Sequence, residues 1–516
     1  MTDTLIRSDV EDRVGGAGDV RAGTRHRGLA AAWHILTASG AMAIVGAWGI
    51  GTPVLWVDEI MTWSASDRSW FQIARVADDV DAVLAPYYLL MSVWTAIFGD
   101  SHLALRLPSL LAMIATAGLV AAIGARLHSP HAGAAGGLLL AALPAVSRYA
   151  QEARPYALMS CFAVLATLAL LRAWQEPSRW RWIVYALACA LTGWSNLLAF
   201  SVVGAHAVAV LVALWWRRAA VRGEAKAWAV SVAAAAVAVF PLLVLGLRQQ
   251  GQISWLFLTS WQALPDILGR VAGGGLLAGL LFGLGVAAMV AGEQRIELIP
   301  RAAERAALGN RGFAFVAVAA LAVLPFLLLF VTGMFRPLYH DRYVLLMLAA
   351  WAALAGVALA RVSRPVAAIV LVAVVLLGAG QQLAMRQPDG HADTGVAEAS
   401  RSISAQSREG DVIILQANHG WLRLAADYYL DPTSRPRDAM MEKTPVQKGG
   451  YLATECQSAQ RCLASPPRVW VMCYGTQEDP LDCLSADAVA VLRGSYQLSL
   501  LEQHGAIRVG LFNRAN

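Results

Sequence analysis

The stretch "APYYLLMSVWTAIFG", residues 85–99, decides the topology of this chain. It is apolar and aromatic, yet shorter than the roughly 20 residues a helix needs to cross a bilayer. Eleven other runs are long or apolar enough to cross: 29–51, 107–126, 133–147, 156–173, 181–196, 198–216, 227–247, 271–291, 313–333, 343–360 and 365–385. If 85–99 crosses as well, every later loop changes sides. Positive residues then separate the two arrangements, because short cytoplasmic loops are enriched in Lys and Arg. With 85–99 lying flat, the Arg-rich N-terminus, Arg126, Arg172, Arg179, Arg181, the cluster "WWRRAAVRGEAK" and Arg361 with Arg364 share the cytoplasmic side. With 85–99 crossing, that cluster faces out. The flat arrangement therefore holds, and it places the C-terminal tail outside.

Composition agrees with a polytopic membrane protein. Of 516 residues, 58% are hydrophobic and 15% are charged, against about a quarter charged in soluble domains. Eighteen tryptophans suit the lipid–water interface. The net charge of +6 is spread over short loops between apolar runs, which orients a membrane protein and forms no groove for a phosphate backbone, so no nucleic-acid partner is expected. Residues 1–28 are polar and hold Arg7, Arg13, Arg21, Arg25 and Arg27. They read as a disordered cytoplasmic tail leading into an uncleaved first helix. The expected architecture is an α-helical polytopic membrane protein of about 11 transmembrane helices over 29–385, with interfacial helices in the first outer loop (52–106). A small extracytoplasmic α/β domain follows at 386–516.

In that last segment "GDVIILQAN", "PPRVWVMCYG" and "AIRVGLFN" read as short buried strands, and "HGWLRLAADYYL" as a helix. Four cysteines lie there: Cys456, Cys462, Cys473 and Cys483. An even number outside the cytosol suggests disulfides, with three pairings open, Cys456–Cys462 with Cys473–Cys483 being the local one. Cys161 and Cys189 lie within spans as packing residues.

The outer face collects polar side chains. The first outer loop carries Asp58-Glu59, then Asp78, Asp79 and Asp81. "SRYAQEARPYAL" (147–158) carries Arg148, Tyr149, Glu152, Arg154 and Tyr156. "FRPLYHDRY" (335–343) carries Arg336, Tyr339, His340, Asp341, Arg342 and Tyr343, and "RQQGQISWLFLTSWQALPD" (248–266) adds aromatic and amide groups. Carboxylates can take a proton from a hydroxyl or hold a divalent metal. Arg and His can bind a phosphate and steady it as it leaves. Together they suit transfer of a group from a phosphate-linked donor to a hydroxyl. Each cluster also has a plain alternative. Asp58-Glu59 can begin a helix, where carboxylates favour the N-terminal dipole. Glu152 and Arg154 can be a structural ion pair. His340 and Arg342 can be interface anchors, and Asp78 and Asp79 solvated acids.

At these residues the sequence resembles the GT-C glycosyltransferases, in particular the polyprenyl-phosphate-sugar-dependent branch with the protein O-mannosyltransferases and the aminoarabinose transferases of lipid A. The acidic pair after the first span, "DAVLAPYYLLMSVWTAIFGDSHLALRLPS" (81–109), "RYAQEARPYAL" (148–158) and "FRPLYHDRYVLLMLAAWAALAG" (335–356) carry the resemblance, over about 29–385. It implies an inverting transfer of a sugar from a polyprenyl phosphate to a glycolipid, cell-wall glycan or protein. By that resemblance Asp58 is the general base or positions the acceptor, Glu59 assists it, and Glu152 is the second acid. His340, Arg342, Tyr339 and Arg154 belong with the donor phosphate, Arg154 alternatively with Glu152. Asp81, Tyr87, Arg148 and Tyr156 line the substrates. Related enzymes often have His-Pro-Pro where this chain has Leu84-Ala85-Pro86, leaving that space to Asp81 or Tyr87. Some members use a divalent metal, so Mg, Mn or Zn on Asp58 and Glu152 stays open.

The Ala, Arg and Val richness is that of a high-GC bacterium, for which mannose or arabinose is the favoured sugar and the plasma membrane the location. No phosphate-binding loop or dinucleotide fingerprint is present, as fits a lipid-borne donor. The competing reading is a transporter or flippase of lipid-linked sugars. It asks for broken helices and internal repeats. "GRVAGGGLLAGLLFGLG" (269–285) is glycine-rich, but close helix packing accounts for it more simply.

Overall fold

The computed structural model describes residues 32–515 except 254, 297–301, 392–393 and 478. The tail expected at 1–28, the start of the first apolar run and Arg301 lie outside the described residues. From Trp33 to Ala384 the chain is helical: α1 (Trp33–Ala47), α2 (Val57–Ser66), α3 (Trp70–Val76), α4 (Ala85–Phe98), α5 (His102–Leu127), α6 (Pro130–Ala142), α7 (Pro144–Ala150), α8 (Tyr156–Gln175), α9 (Arg179–Ser195), α10 (Val202–Arg217), α11 (Arg222–Arg248), α12 (Leu264–Ala272), α13 (Gly275–Ile296), α14 (Ala302–Gly333), α15 (Leu345–Leu359) and α16 (Arg364–Ala384). Among the described residues eight helices are long and apolar enough to cross a membrane, or ten if two bent pairs each count as one span. The chain is a multi-pass membrane protein.

The centre of the bundle is held by small residues. A Cβ on Gly133 would lie 2.2 Å from the carbonyl oxygen of Ala121, and one on Gly356 2.3 Å from that of Ala132. Only glycine lets α5, α6 and α15 approach that closely, which is how helices associate where burial from water is no driving force. Both bent pairs have local causes. Pro144 cannot continue α6, and the chain turns by 72° into α7. After α12, Gly273 takes φ +89° and Gly274 φ +141°, and α13 leaves at 88°. The glycine-rich run read as a continuous, closely packed helix is therefore broken, because two successive residues adopt a backbone that side chains disfavour.

The 85–99 stretch, expected to lie flat, belongs to one of those eight, the segment Trp70–Phe98, in which π- and 3₁₀-helical turns over 77–84 join α3 to α4; it stays apart from the central core. α4 buries Tyr87, Tyr88 and Met91 in a cluster shared with α2, α3 and the C-terminal segment. It leaves Leu89, Leu90, Val93, Ile97 and Phe98 exposed on its other side.

Beyond the linker come α17 (Val396–Gln406) and α18 (Gly420–Tyr429) with strands β1 (Val412–Leu415), β2 (Arg437–Asp438), β5 (Arg468–Tyr474), β6 (Tyr496–His504) and β7 (Ile507–Arg514) in the order β2-β1-β5-β7-β6. β1 runs parallel to β2 and β5; β7 is antiparallel to β5 and β6. A separate pair is made by β3 (Met441–Lys443) and β4 (Thr454–Glu455). Alternation along the strands sorts side chains to two cores. Ile413, Leu415, Trp470 and Met472 join α17, α18, α2 and α4, whereas Val412, Ile414, Val469 and Val471 face Leu463, Leu492 and Phe512. Cys456 pairs with Cys462 and Cys473 with Cys483, so the local pairing is the one formed. Cys161 and Cys189 are free and buried.

Candidate active site

The acidic pair does begin a helix. Trp56 is the extended residue before α2, and Asp58 and Glu59 fill its first turn. Adjacent side chains on a helix diverge by about 100°, and here they part into two environments.

Glu59 points inward and is fully buried. Both of its oxygens take the guanidinium fork of Arg106, Oε1 from Nε at 2.8 Å and Oε2 from Nη2 at 2.7 Å. Oε1 also accepts the backbone N–H of Ala153 at 2.8 Å. The remaining Arg106 donors go to the carbonyls of Ile50, Pro53 and Val54. Every donor of this buried Arg has a partner, and the Ala153 N–H on Glu59 joins this cluster to the turn before α8. Both Glu59 oxygens are thus taken up by protein donors. Burial alone would raise its carboxyl, but Arg106 holds it below the ordinary range.

Asp58 points the other way, with its side chain 20% exposed. Its Oδ2 accepts from Arg342 Nη1 at 2.7 Å and lies 3.5 Å from Arg154 Nε. Burial would raise this carboxyl, but Arg154 and Arg342 outweigh it and hold it low. Arg342 lies over the ring of Tyr156, with Cζ 5.1 Å from the centroid, and near Trp255 at 5.4 Å and Tyr343 at 5.8 Å. Arg154 reaches Thr62 Oγ1 and Tyr88 Oη, both at 3.4 Å, and Tyr88 donates to Asp81 at 2.8 Å.

Glu152 lies beside this pair. Arg148 meets its Oε2 at 2.8 Å, while Oε1 has no hydrogen-bond partner. Burial, with Glu59 and Asp58 nearby, pushes its carboxyl above the ordinary range despite Arg148. Arg148 also meets His391 Nδ1 at 3.2 Å and covers the Trp56 ring at 5.6 Å. Nε of Arg342 and Nε of Arg154 likewise lack hydrogen-bond partners. Unpaired buried donors are costly, so their concentration around Asp58 marks a place shaped for a polar ligand.

Three more sequence expectations find other places. Tyr87 is buried beneath α2 and offers no surface to a substrate. Tyr339 donates to Asp341 at 3.0 Å, which pairs with Arg270 at 2.8 Å, so it serves a separate ion pair. Tyr156 acts through its ring under Arg342. His340 stands beside Arg342, but burial and that positive neighbour push its imidazole down to about 4. At neutral pH it is uncharged, and its Nδ1 accepts the backbone N–H of Arg342 at 3.3 Å. Because the folded value is depressed, the unfolded chain binds the proton more readily between pH ~6.5 and about 4. Stability is therefore expected to fall as pH drops through that window. Thermal melts at pH 7 and pH 5 should show a smaller decline in His340→Gln than in the unmodified protein; an equal decline assigns the loss to other groups.

Asp58 and Glu152 each face guanidinium groups, and among the described residues no three His, Cys, Asp or Glu side chains converge. The guanidinium groups already bring these carboxylates the positive charge a divalent cation would supply. No pattern in the sequence singles out Arg106 or Tyr88. Nor does any single out His391, which comes from the polar linker after α16.

Next to the site, a cavity of about 520 Å³ runs between Val80, Val83 and Leu84 on one wall and Leu197, Leu243, Leu247 and Leu256 on the other. Tyr343 and Arg336 also line it. It is mostly apolar, and through Tyr343 it adjoins Arg342.

Residues 84–245 match the family model described as dolichyl-phosphate-mannose-protein mannosyltransferase. No curated protein sequence matches. Among solved structures, ArnT from Cupriavidus metallidurans bound to undecaprenyl phosphate aligns over 93% of this chain and 98% of its own, at 14% identity and a TM-score of 0.56. The same protein in the apo state gives 0.57. The chain has the GT-C fold. The Archaeoglobus fulgidus oligosaccharyltransferase in the apo form aligns over 86% of this chain and 69% of its own, at 10% identity and a TM-score of 0.50. Asp58 stands in the first turn of α2, Glu152 between α7 and α8, and Arg342 in the 3₁₀ turn before α15.

Proposed function

We propose that this protein transfers a sugar, with inversion, from a polyprenyl phosphate to a hydroxyl of a glycolipid, glycan or protein outside the cytosol. The observation that carries this is the meeting of Arg342 and Arg154 on one carboxylate beside an apolar cavity. Two guanidinium groups suit a phosphate better than they suit one Asp. The cavity suits the first isoprene units of a lipid arriving from the bilayer. Support for the outer location comes from Arg126, Arg172, Arg179, Arg181, Arg217, Arg222, Lys226, Arg361 and Arg364, whose sequence positions put them in the opposite set of loops. The family description and the undecaprenyl phosphate bound by the ArnT neighbour favour the same donor class; mannose or arabinose remains the favoured sugar.

In this reading Asp58 occupies the phosphate's place until the donor comes. The phosphate takes Arg342 and Arg154, and Asp58, relieved of both, becomes a stronger base. The acceptor oxygen attacks the anomeric carbon as the bond from that carbon to the phosphate oxygen breaks. The electron pair leaves with polyprenyl phosphate, held by the two Arg side chains, and the hydroxyl proton passes to Asp58. Glu152 holds the acceptor through its unpartnered oxygen.

Purified protein offered a panel of polyprenyl phosphate sugars should give an acceptor whose mass grows by one sugar; no transfer from any of them overturns the reading. Arg342→Ala should weaken binding of undecaprenyl phosphate about 10- to 100-fold, the loss of one charge-assisted contact. An unchanged affinity removes Arg342 from the donor site. One observation favours the second reading, carriage of a lipid-linked sugar across the membrane: the 88° break between α12 and α13. It calls for movement of labelled lipid in vesicles without covalent transfer.

A further inference from the structure

A second cleft, of about 680 Å³, lies between the end of α2 and the last turns of α4, away from the ion pairs at Asp58. Its walls include Trp63, Asp67, Arg68, Trp70, Thr95 and Asp100. Trp70 is 66% exposed. Trp63 Nε1 donates to Asp100 Oδ2 at 2.9 Å, fixing an indole and a carboxylate side by side. Arg68 is only 4% exposed. Its Nε and Nη2 are used on Ser64 and on the carbonyl of Gly450, and its Nη1 has no partner. Nothing in the transfer chemistry uses any of these groups.

The mixture narrows the ligand. Two carboxylates can only accept hydrogen bonds, a guanidinium can only donate, and indoles offer flat apolar faces. Burial, then Asp100 and Asp427, push the Asp67 carboxyl up against the pull of Arg68; with Asp67 and Asp100 both in the walls, an anionic headgroup or a nucleic acid would meet two carboxylates against one guanidinium. A neutral polyhydroxylated ring has donors and acceptors around its edge and C–H groups on its faces, and matches all three.

We propose that this cleft binds a neutral oligosaccharide, the part of the acceptor behind the sugar that receives the transfer. The proposal rests on the glycosyl-transfer reading and names its acceptor as a glycan rather than a protein. From Asp58 to Ser66, α2 covers about 12 Å, at about 1.5 Å per residue. An oligosaccharide spans that distance and a single sugar does not.

The test is binding, not turnover, so it stands apart from catalysis. Neutral mannotetraose and arabinotetraose are titrated against the full chain in nanodiscs, followed by calorimetry. One of them is expected to bind equally to the unmodified and Asp58→Asn proteins. Trp70→Ala, whose side chain is exposed and supports no core, should weaken it at least about tenfold, equivalent to about 1.4 kcal/mol. Asp67→Asn/Asp100→Asn should weaken it as well. Binding of neither glycan, or unchanged binding in Trp70→Ala, overturns the cleft, as does displacement of the glycan by phosphatidylglycerol vesicles or an acidic hexapeptide. Glycan binding that persists in a protein transferring no sugar from any lipid donor sinks the transfer reading and leaves the cleft standing.

Discussion

Asp58→Asn protein is expected to bind undecaprenyl phosphate at least as tightly as the unmodified chain and to transfer sugar about two to four orders of magnitude more slowly. Each tenfold loss corresponds to about 1.4 kcal/mol in the barrier. Asn keeps the shape and loses the charge, so it neither accepts a proton nor competes for Arg342 and Arg154. Removing the competing carboxylate leaves both guanidinium groups ready for phosphate, which is why affinity should hold or rise while turnover collapses. Donor binding by fluorescence and single-turnover transfer by mass spectrometry, on the same preparation, separate the two. Turnover near the original rate would deny Asp58 the role of base. A parallel loss of donor binding would mean that Asp58 holds the Arg side chains in place rather than standing in for the phosphate.

The second large effect is on stability. Arg106→Ala leaves the buried Glu59 charge without its fork and strips three carbonyls, those of Ile50, Pro53 and Val54, of a donor. Breaking a buried ion pair by removing one partner costs about 3–5 kcal/mol. The detergent-solubilised variant should melt well below the parent or fail to remain monodisperse. Removing Glu59 as well should not restore it, because the three carbonyls stay unpaired. An unchanged melting temperature for Arg106→Ala would show that something else holds the first loop.

Helix periodicity and chain chemistry made much of this architecture readable in advance. Nine of the eleven apolar runs fall on single helices, the first only in part within the described residues, and 133–147 and 271–291 are each broken into two; burying apolar surface in lipid needs length and little else. The strands at 412–415, 468–474 and 507–514 were visible as short apolar runs bounded by turn residues. β6, "YQLSLLEQH", was not, because it is the edge of its sheet and mostly exposed, so no buried run marks it. The glycine-rich break at Gly273 was misread because small residues serve both close packing and left-handed turns. At the site, residue types were legible and their geometry was not. Asp58 and Arg342 are 284 residues apart, and only packing shows that they touch. Asp58 and Glu59 look alike in sequence; helix rotation sends one to Arg342 and Arg154 and the other to Arg106. His391 carried no signal at all, being a lone polar residue in a linker whose place is set by what it packs against.

The shared core between α2, α4 and the C-terminal sheet has a bearing on biogenesis. Asp58 is translated long before Trp470, yet Leu55, Ile60 and Tyr88 reach their final packing only with Trp470, Met472 and Ile507 in place. A nascent or prematurely terminated chain with every membrane helix inserted would still lack the support that fixes the acidic turn. Folding of this kind leaves the acidic turn waiting on the sheet that follows the membrane helices.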